Sequence, residues 1–248
     1  MTTTQSPPPQ RGLLERLEAE AVEVVSPAEK IYVYEAPLRL WHWINALTLV
    51  VLCITGYLIG APMSSVPGEA SQNYEFGYIR LVHFAAGQIL ALAFVYRVAW
   101  AFFGNHHAVQ LFIPPVWSGR WWHEVVHEIR WYAFMEDRPR KYVGHNPLAL
   151  VAMFILFLLP LIHQIVTGFA LYAEGQGIDS LWYAAFGWVF ALYGDSFTVH
   201  TWHHLIMWVL VVFASIHVYV AFREDIMSRQ SLVSTMVSGW RYFKDDRE

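Results

Sequence analysis

The chain has 248 residues, 56% hydrophobic, 17% aromatic and 15% charged, with a formal net charge of −4. Soluble domains carry about 25% charged residues, so this chain lacks the polar surface needed to stay in water, and its net negative charge argues against nucleic acid, which selects basic stripes. The single cysteine, Cys53, excludes an internal disulfide, a four-cysteine iron–sulfur site and a zinc knuckle.

Residues 1–30 open with Pro7, Pro8 and Pro9 and contain no apolar run of the kind a signal peptide needs. They are expected to form a flexible cytoplasmic tail, leaving 31–248 as a transmembrane unit. Four stretches, 41–60, 78–103, 147–172 and 199–222, are apolar enough to cross a bilayer, which takes about 20 residues at 1.5 Å each. Between the second and third, residues 120–135 are rich in Trp and spaced as an amphipathic helix, expected on the cytoplasmic membrane surface. Before the fourth, the aromatic stretch 181–193 is too short to span and is expected along the interface.

Lys and Arg set the orientation. The connections 61–77 and 173–198 have neither, whereas Arg120, Arg130, Arg138, Arg140 and Lys141 lie between spans two and three. Arg223, Arg229, Arg241, Lys244 and Arg247 follow span four. The fold class expected is therefore an all-α integral membrane protein, a four-helix transmembrane bundle with both termini cytoplasmic, in a bacterial inner membrane.

Of twelve histidines, four sit at informative depths within the spans, where polar groups are costly and become functional candidates. His42 is at the cytoplasmic start of span one and His83 near the external end of span two. His203 and His217 are 14 positions apart on span four, about 21 Å of rise and close to whole turns, so they share a face. His200 and His204 point off that face. Depth pairs His83 with His203 outside and His42 with His217 inside, giving two bis-histidine sites that suit two haems stacked across the membrane. No C-x-x-C-H is present, which excludes covalent c-type attachment.

Gly56 and Gly87 lie on the faces of these histidines, where small residues leave space for a macrocycle or for close helix packing. Arg39 and Arg80 lie just outside His42 and His83 and are candidate propionate partners, or merely snorkel. His163 reads as a core hydrogen-bonder, His106 and His107 as loop residues after span two. His123 and His127 share an i, i+4 face, more in keeping with an interfacial helix than with a metal.

The segments YVYEAPLRLWHWINALTLVVLCITGYLIG (32–60), YIRLVHF (78–84), YVGHNPLA (142–149) and HTWHHLIMWVLVVFASIHVYVAFREDIM (200–227) resemble the cytochrome b subunit of membrane-bound nickel–iron hydrogenases. The likeness runs from about residue 31 to the C-terminus. More distantly, the chain is similar to the gamma subunits of membrane formate dehydrogenases. The resemblance implies two haem b, ligated by His83 with His203 and by His42 with His217. It implies an anchoring electron-transfer role, with hydrogenase large and small subunits on the external (periplasmic) side and a membrane quinone as acceptor. Nickel ligands and iron–sulfur cysteines are absent from the sequence, which suits an acceptor subunit. His145 and Asn146, opening span three near the inner pair, are candidates for the quinone site; Asn146 followed by Pro147 equally reads as a helix start. The alternatives left open are the same scaffold serving a formate or thiosulfate-type dehydrogenase, and a haem-free membrane transporter or scaffold using its histidines as proton sites.

Overall fold

The computed structural model describes residues 30–62 and 74–243, the side chain of His106 excepted. The expected tail thus lies, apart from Lys30, outside the described residues.

Among the described residues, four helices are long and apolar enough to cross a membrane: α1 (Ala36–Gly60), α2 (Glu75–Phe103), α5 (Pro147–Gln176) and α8 (Ser196–Met227). Between 11% and 28% of their most apolar windows is buried within the chain, and residues such as Leu47, Leu92, Phe102 and Phe103 are largely exposed. In water that surface would be ruinous; against lipid it is the proper solvent contact, since each helix satisfies its own backbone groups. The protein is therefore a multi-pass membrane protein, mostly helical.

Each span starts where the local chemistry directs. Pro37 sits in the first turn of α1, where its missing N–H costs nothing. Asn146 caps α5 by accepting from the Ala149 N–H at 2.6 Å, and Asp195 caps α8 through Thr198 N–H at 2.6 Å. Within α5, residues Phe154–Leu158 form a π-helical turn directly before Pro160. Proline has no N–H for the i−4 carbonyl and its ring collides with it; the wider turn absorbs both defects without ending the span. At 32 residues, α8 is about 48 Å long, well beyond a hydrocarbon core of about 30 Å. The spans thus extend past the sequence-based bounds at one or both ends, because helices continue through the interface while hydropathy falls.

The short helices lie off the bundle. α3 (His106–Val109) follows α2, and α4 (Gly119–Tyr132) packs Trp121, Val125 and Trp131 inward. α4 also carries a second apolar stripe outward, Trp122, Val126 and Ile129, which fits the amphipathic helix expected there. The interfacial stretch forms two short helices, α6 (Leu181–Phe186) and α7 (Trp188–Tyr193), broken at Gly187.

After α8, α9 (Leu232–Ser238) leads into strand β2 (Trp240–Tyr242), which pairs antiparallel with β1 (Lys30–Tyr32) just ahead of α1. The two ends of the described chain are thereby joined at one end of the bundle. Gly239 makes the turn into β2 with φ 85°, and a side chain there would meet the Tyr34 carbonyl at 2.6 Å. The core runs through Trp41, Leu90, Trp121, Phe157, Leu161 and Leu210, so it draws on all four spans and α4.

Candidate functional site

The four intramembrane histidines come together as two pairs. The rings of His83 (α2) and His203 (α8) have centroids 6.5 Å apart, at 74° between planes. Those of His42 (α1) and His217 (α8) are 6.3 Å apart at 50°. Two imidazoles each donating to one metal at about 2.0 Å would have ring centres roughly 6 Å apart. Both pairs therefore have the separation of two axial ligands, while being too far apart to hydrogen-bond each other.

The surroundings of the pairs differ. A cavity of about 970 Å³ opens around His83 and His203, lined also by Arg80, Phe84, Gly87 and Trp208. A side chain at Gly87 would meet nothing within 4 Å, so this glycine leaves open space at the cavity wall. Gly56 also lines the cavity, and its Cβ would lie 3.2 Å from Cε1 of His83, so it lets α1 approach that ring. Gly168 stands in the same relation to His203, at 3.3 Å. His42 and His217 lie outside this cavity. His217 stacks on Phe213 at 5.7 Å and is exposed on the surface of the chain, and Nδ1 of His42 is buried with no hydrogen-bond partner.

This donor set fits a haem. Imidazoles pair at ligand spacing, and the cavity has mainly apolar walls with one cation, Arg80, whose guanidinium lies over Phe84 at 5.6 Å. Arg39, the other candidate counter-charge, donates to the Val237 carbonyl, and its Nε is buried without a partner.

Two residues beside the histidines carry no signal in the sequence. Thr55 Oγ1 lies 2.8 Å from Nδ1 of His83, and Thr167 Oγ1 lies 2.8 Å from Nδ1 of His203. A threonine in an apolar span reads as filler, and only the tertiary structure brings it to a ring on another helix. The remaining histidines take other duties. His163 bonds the Tyr193 hydroxyl at 2.9 Å, in keeping with a core role. Among the described residues no group of three or more His, Cys, Asp or Glu could hold a metal ion, and His123 and His127 lie nearest their own neighbours Glu124 and Glu128.

At the other end, around the start of α5, lies a buried polar network. Arg241, 1% exposed, donates to the carbonyls of Tyr142 at 2.8 Å and Gly144 at 2.6 Å, so the last strand holds the loop that presents His145. The Tyr34 hydroxyl is 3.3 Å from both ring nitrogens of His145. Burial, reinforced by the Arg241 guanidinium, pushes His145 down to about 3; it is neutral at physiological pH and available as a hydrogen-bonding group, not as a cationic acid. Asn146 spends its Oδ1 on the α5 cap.

Three buried carboxylates adjoin it. Burial favours the neutral form of Glu124, but hydrogen bonds from Arg140 and Tyr142 outweigh it and hold the carboxyl below its ordinary value. For Glu128 the help of Tyr142 and Arg140 is outweighed. It is 2% exposed, its Oε1 has no hydrogen-bond partner, and burial with the nearby Glu224 carboxylate pushes it up to about 7. It faces a cavity of about 20 Å³ shared with Tyr142, Asn146 and Glu224.

Comparison with known proteins places the chain. Residues 33–239 match the family described as prokaryotic cytochrome b561. A protein of Azotobacter vinelandii named "Probable Ni/Fe-hydrogenase B-type cytochrome subunit" is 61% identical over 225 residues, 91% of this chain and 94% of the relative. A protein of the same name in Rhizobium leguminosarum bv. viciae is 58% identical, covering 88% of this chain and 91% of its own length. In Escherichia coli K12, "Probable Ni/Fe-hydrogenase 1 B-type cytochrome subunit" is 47% identical, covering 86% and 91%.

Proposed function

The chain belongs to the prokaryotic cytochrome b561 family, and from that premise we propose that it is the membrane-anchoring electron-transfer subunit of a respiratory hydrogenase complex, linking the iron–sulfur small subunit to the quinone pool through two b haems. His83 and His203 would hold one haem toward the external face, His42 and His217 the other toward the cytoplasm. Arg80 and Arg39 are the candidate propionate partners of the two. A haem held between two imidazoles supplies one-electron transfer and no open coordination position.

The observation that carries this reading is the ring separation, 6.5 Å and 6.3 Å in two independent pairs. Packing histidines have no reason to adopt ligand spacing twice. The hydrogenase partner is supported by the names of relatives that match along nearly their whole length. The Lys and Arg distribution supports cytoplasmic termini, so the clasped β1–β2 end would face the cytoplasm, with the transmembrane unit beginning near residue 30 and continuing to the C-terminus.

The chain's own residues would do three things. The spans exclude water from the paired imidazoles and keep them neutral, as ligands must be. The external loops, lacking Lys and Arg, would meet the partner. His145 and Asn146 would receive a quinone near His42 and His217, with His145 bonding a quinone oxygen as a neutral imidazole.

The test is haem content by pyridine haemochrome on the complex purified with its partners. About two b haems per chain are expected, with one lost in His83→Ala or His203→Ala and the other lost in His42→Ala or His217→Ala. Variants from different pairs that remove the same haem, or a haem-free wild type with its partners present, would overturn the proposal. The competing assignment to a formate or thiosulfate-type enzyme fails if a nickel–iron hydrogenase co-purifies.

A further inference from the structure

We infer that Thr55 and Thr167 are positioning residues for the pair His83–His203, each accepting the Nδ1–H of one imidazole so that both Nε2 lone pairs face the gap between the rings. The inference rests on the reading that this pair holds a haem.

The argument begins with a count of protons. Thr55 has one hydroxyl hydrogen, and its Oγ1 lies 2.7 Å from the Val51 carbonyl one turn back. Two oxygens approach that closely only with a proton between them, and a carbonyl has none to give. The hydroxyl therefore donates to Val51, and its contact with His83 Nδ1 at 2.8 Å must be the reverse, ring N–H to hydroxyl oxygen. Thr167 repeats this arrangement: its Oγ1 is 2.7 Å from the His163 carbonyl and 2.8 Å from Nδ1 of His203. Both threonines are buried, at 8% and 1% exposure, so no water competes.

With Nδ1 protonated, the neutral ring carries its lone pair on Nε2. The tautomer is thus set by the protein before any iron arrives. Each threonine is followed by a glycine, Gly56 or Gly168, whose absent side chain admits the same ring at 3.2 or 3.3 Å. A Thr-Gly step on α1 seats the histidine of α2, and a Thr-Gly step on α5 seats that of α8. Two separate spans use the same two-residue seat for the two histidines of one pair. His42 differs: among the described residues its buried Nδ1 has no hydrogen-bond partner.

An acceptor on Nδ1–H strengthens imidazole as a donor to metal, which favours the oxidised iron. Removing the acceptor should raise the reduction potential of that haem alone. The experiment uses the complete complex with Thr55→Val, Thr167→Val and the matching Ser variants. It reads haem content, the potentiometric titration of the α band and the low-spin EPR g-values. Each Val variant is expected to shift the oxidised-to-reduced ratio of one haem by about threefold to tenfold, tenfold being 59 mV for one electron. The other haem serves as an internal control, and Ser is expected to restore the wild-type value. Loss of that single haem in Val with recovery in Ser supports the same role, since the hydroxyl is the difference. Val variants that keep both haems with unchanged potentials and g-values overturn the inference, as does a shift equal in Val and Ser. A wild-type complex without any b-type spectrum overturns the haem reading itself, and this inference with it.

Discussion

Glu128→Gln should stabilise the protein at pH 8 and leave it unchanged near pH 4. Glu128 sits on α4 at 2% exposure, its Oε1 without a hydrogen bond and 3.7 Å from His127 Nδ1. Burial with the Glu224 and Glu124 carboxylates outweighs the help of Tyr142 and of Arg140, which Glu124 engages. Its carboxyl is pushed from an ordinary 4.5 up to about 7. The sign follows directly. Below 4.5 the carboxyl is neutral in both folded and unfolded chains and costs nothing. As pH rises to 7 the unfolded chain ionises while the folded one resists, and stability falls throughout that window. Above 7 the loss is complete, and about 2.5 units at 1.36 kcal/mol each come to about 3 kcal/mol. Glutamine has nearly the shape of the protonated acid and never ionises, so it escapes the whole loss. For a chain of this size that is roughly 6–12 °C in melting temperature. Thermal unfolding of the detergent-solubilised complex at pH 4, 6 and 8 measures it. A difference between variant and wild type that does not change with pH would refute the reasoning, and so would a variant that melts lower at pH 8.

Asn146→Ala should lose the α5 cap and about 1 kcal/mol, whereas Asn146→Asp keeps the acceptor for Ala149 N–H. Slowed quinone reduction in the Asp variant at wild-type stability would assign the lost amide to quinone binding; full activity would leave Asn146 a cap. Because His145 is held near 3, its protonation should not enter quinone reduction between pH 5 and 8. A rate that follows a group titrating near 6.5, and loses that dependence in His145→Gln, would contradict the structure. Gly87→Leu should leave a folded chain lacking the haem of His83 and His203, since its side chain would enter the cavity there, while Gly87→Ala keeps it. Unchanged haem content in the Leu variant would show that the cavity wall at Gly87 is not where the macrocycle lies.

The spans were legible because lipid selects for hydropathy, which is a property of sequence alone. Histidine depth and the 14-position spacing of His203 and His217 were legible for a related reason: a straight helix turns sequence separation into distance and angle without help from neighbours. The family resemblance agrees with the match over residues 33–239. What stayed hidden depends on contact between elements. Arg241 counted only as a positive charge, yet it is buried and ties the loop before His145. Gly56 read as room for a cofactor or for close packing, and which ring it admits, that of His83, shows only in the folded chain. Thr55 and Thr167 carry no signal in the sequence, since only the folded chain brings each to a ring on another helix. Pro160 gave no sign that the chain would widen into a π-helical turn rather than break.

The β1–β2 pairing has a consequence for how the protein is made. It joins residues 30–32, ahead of the first described span, to residues 240–242, after the fourth. Both histidine pairs also draw one member from α8, the fourth described span. Neither ring spacing can therefore be reached until α8 has been made, and the strand that closes the bundle comes later still. Cofactor capture would then wait for α8 and closure for β2, and a chain without residues 240–243 would keep all four described spans without being clasped.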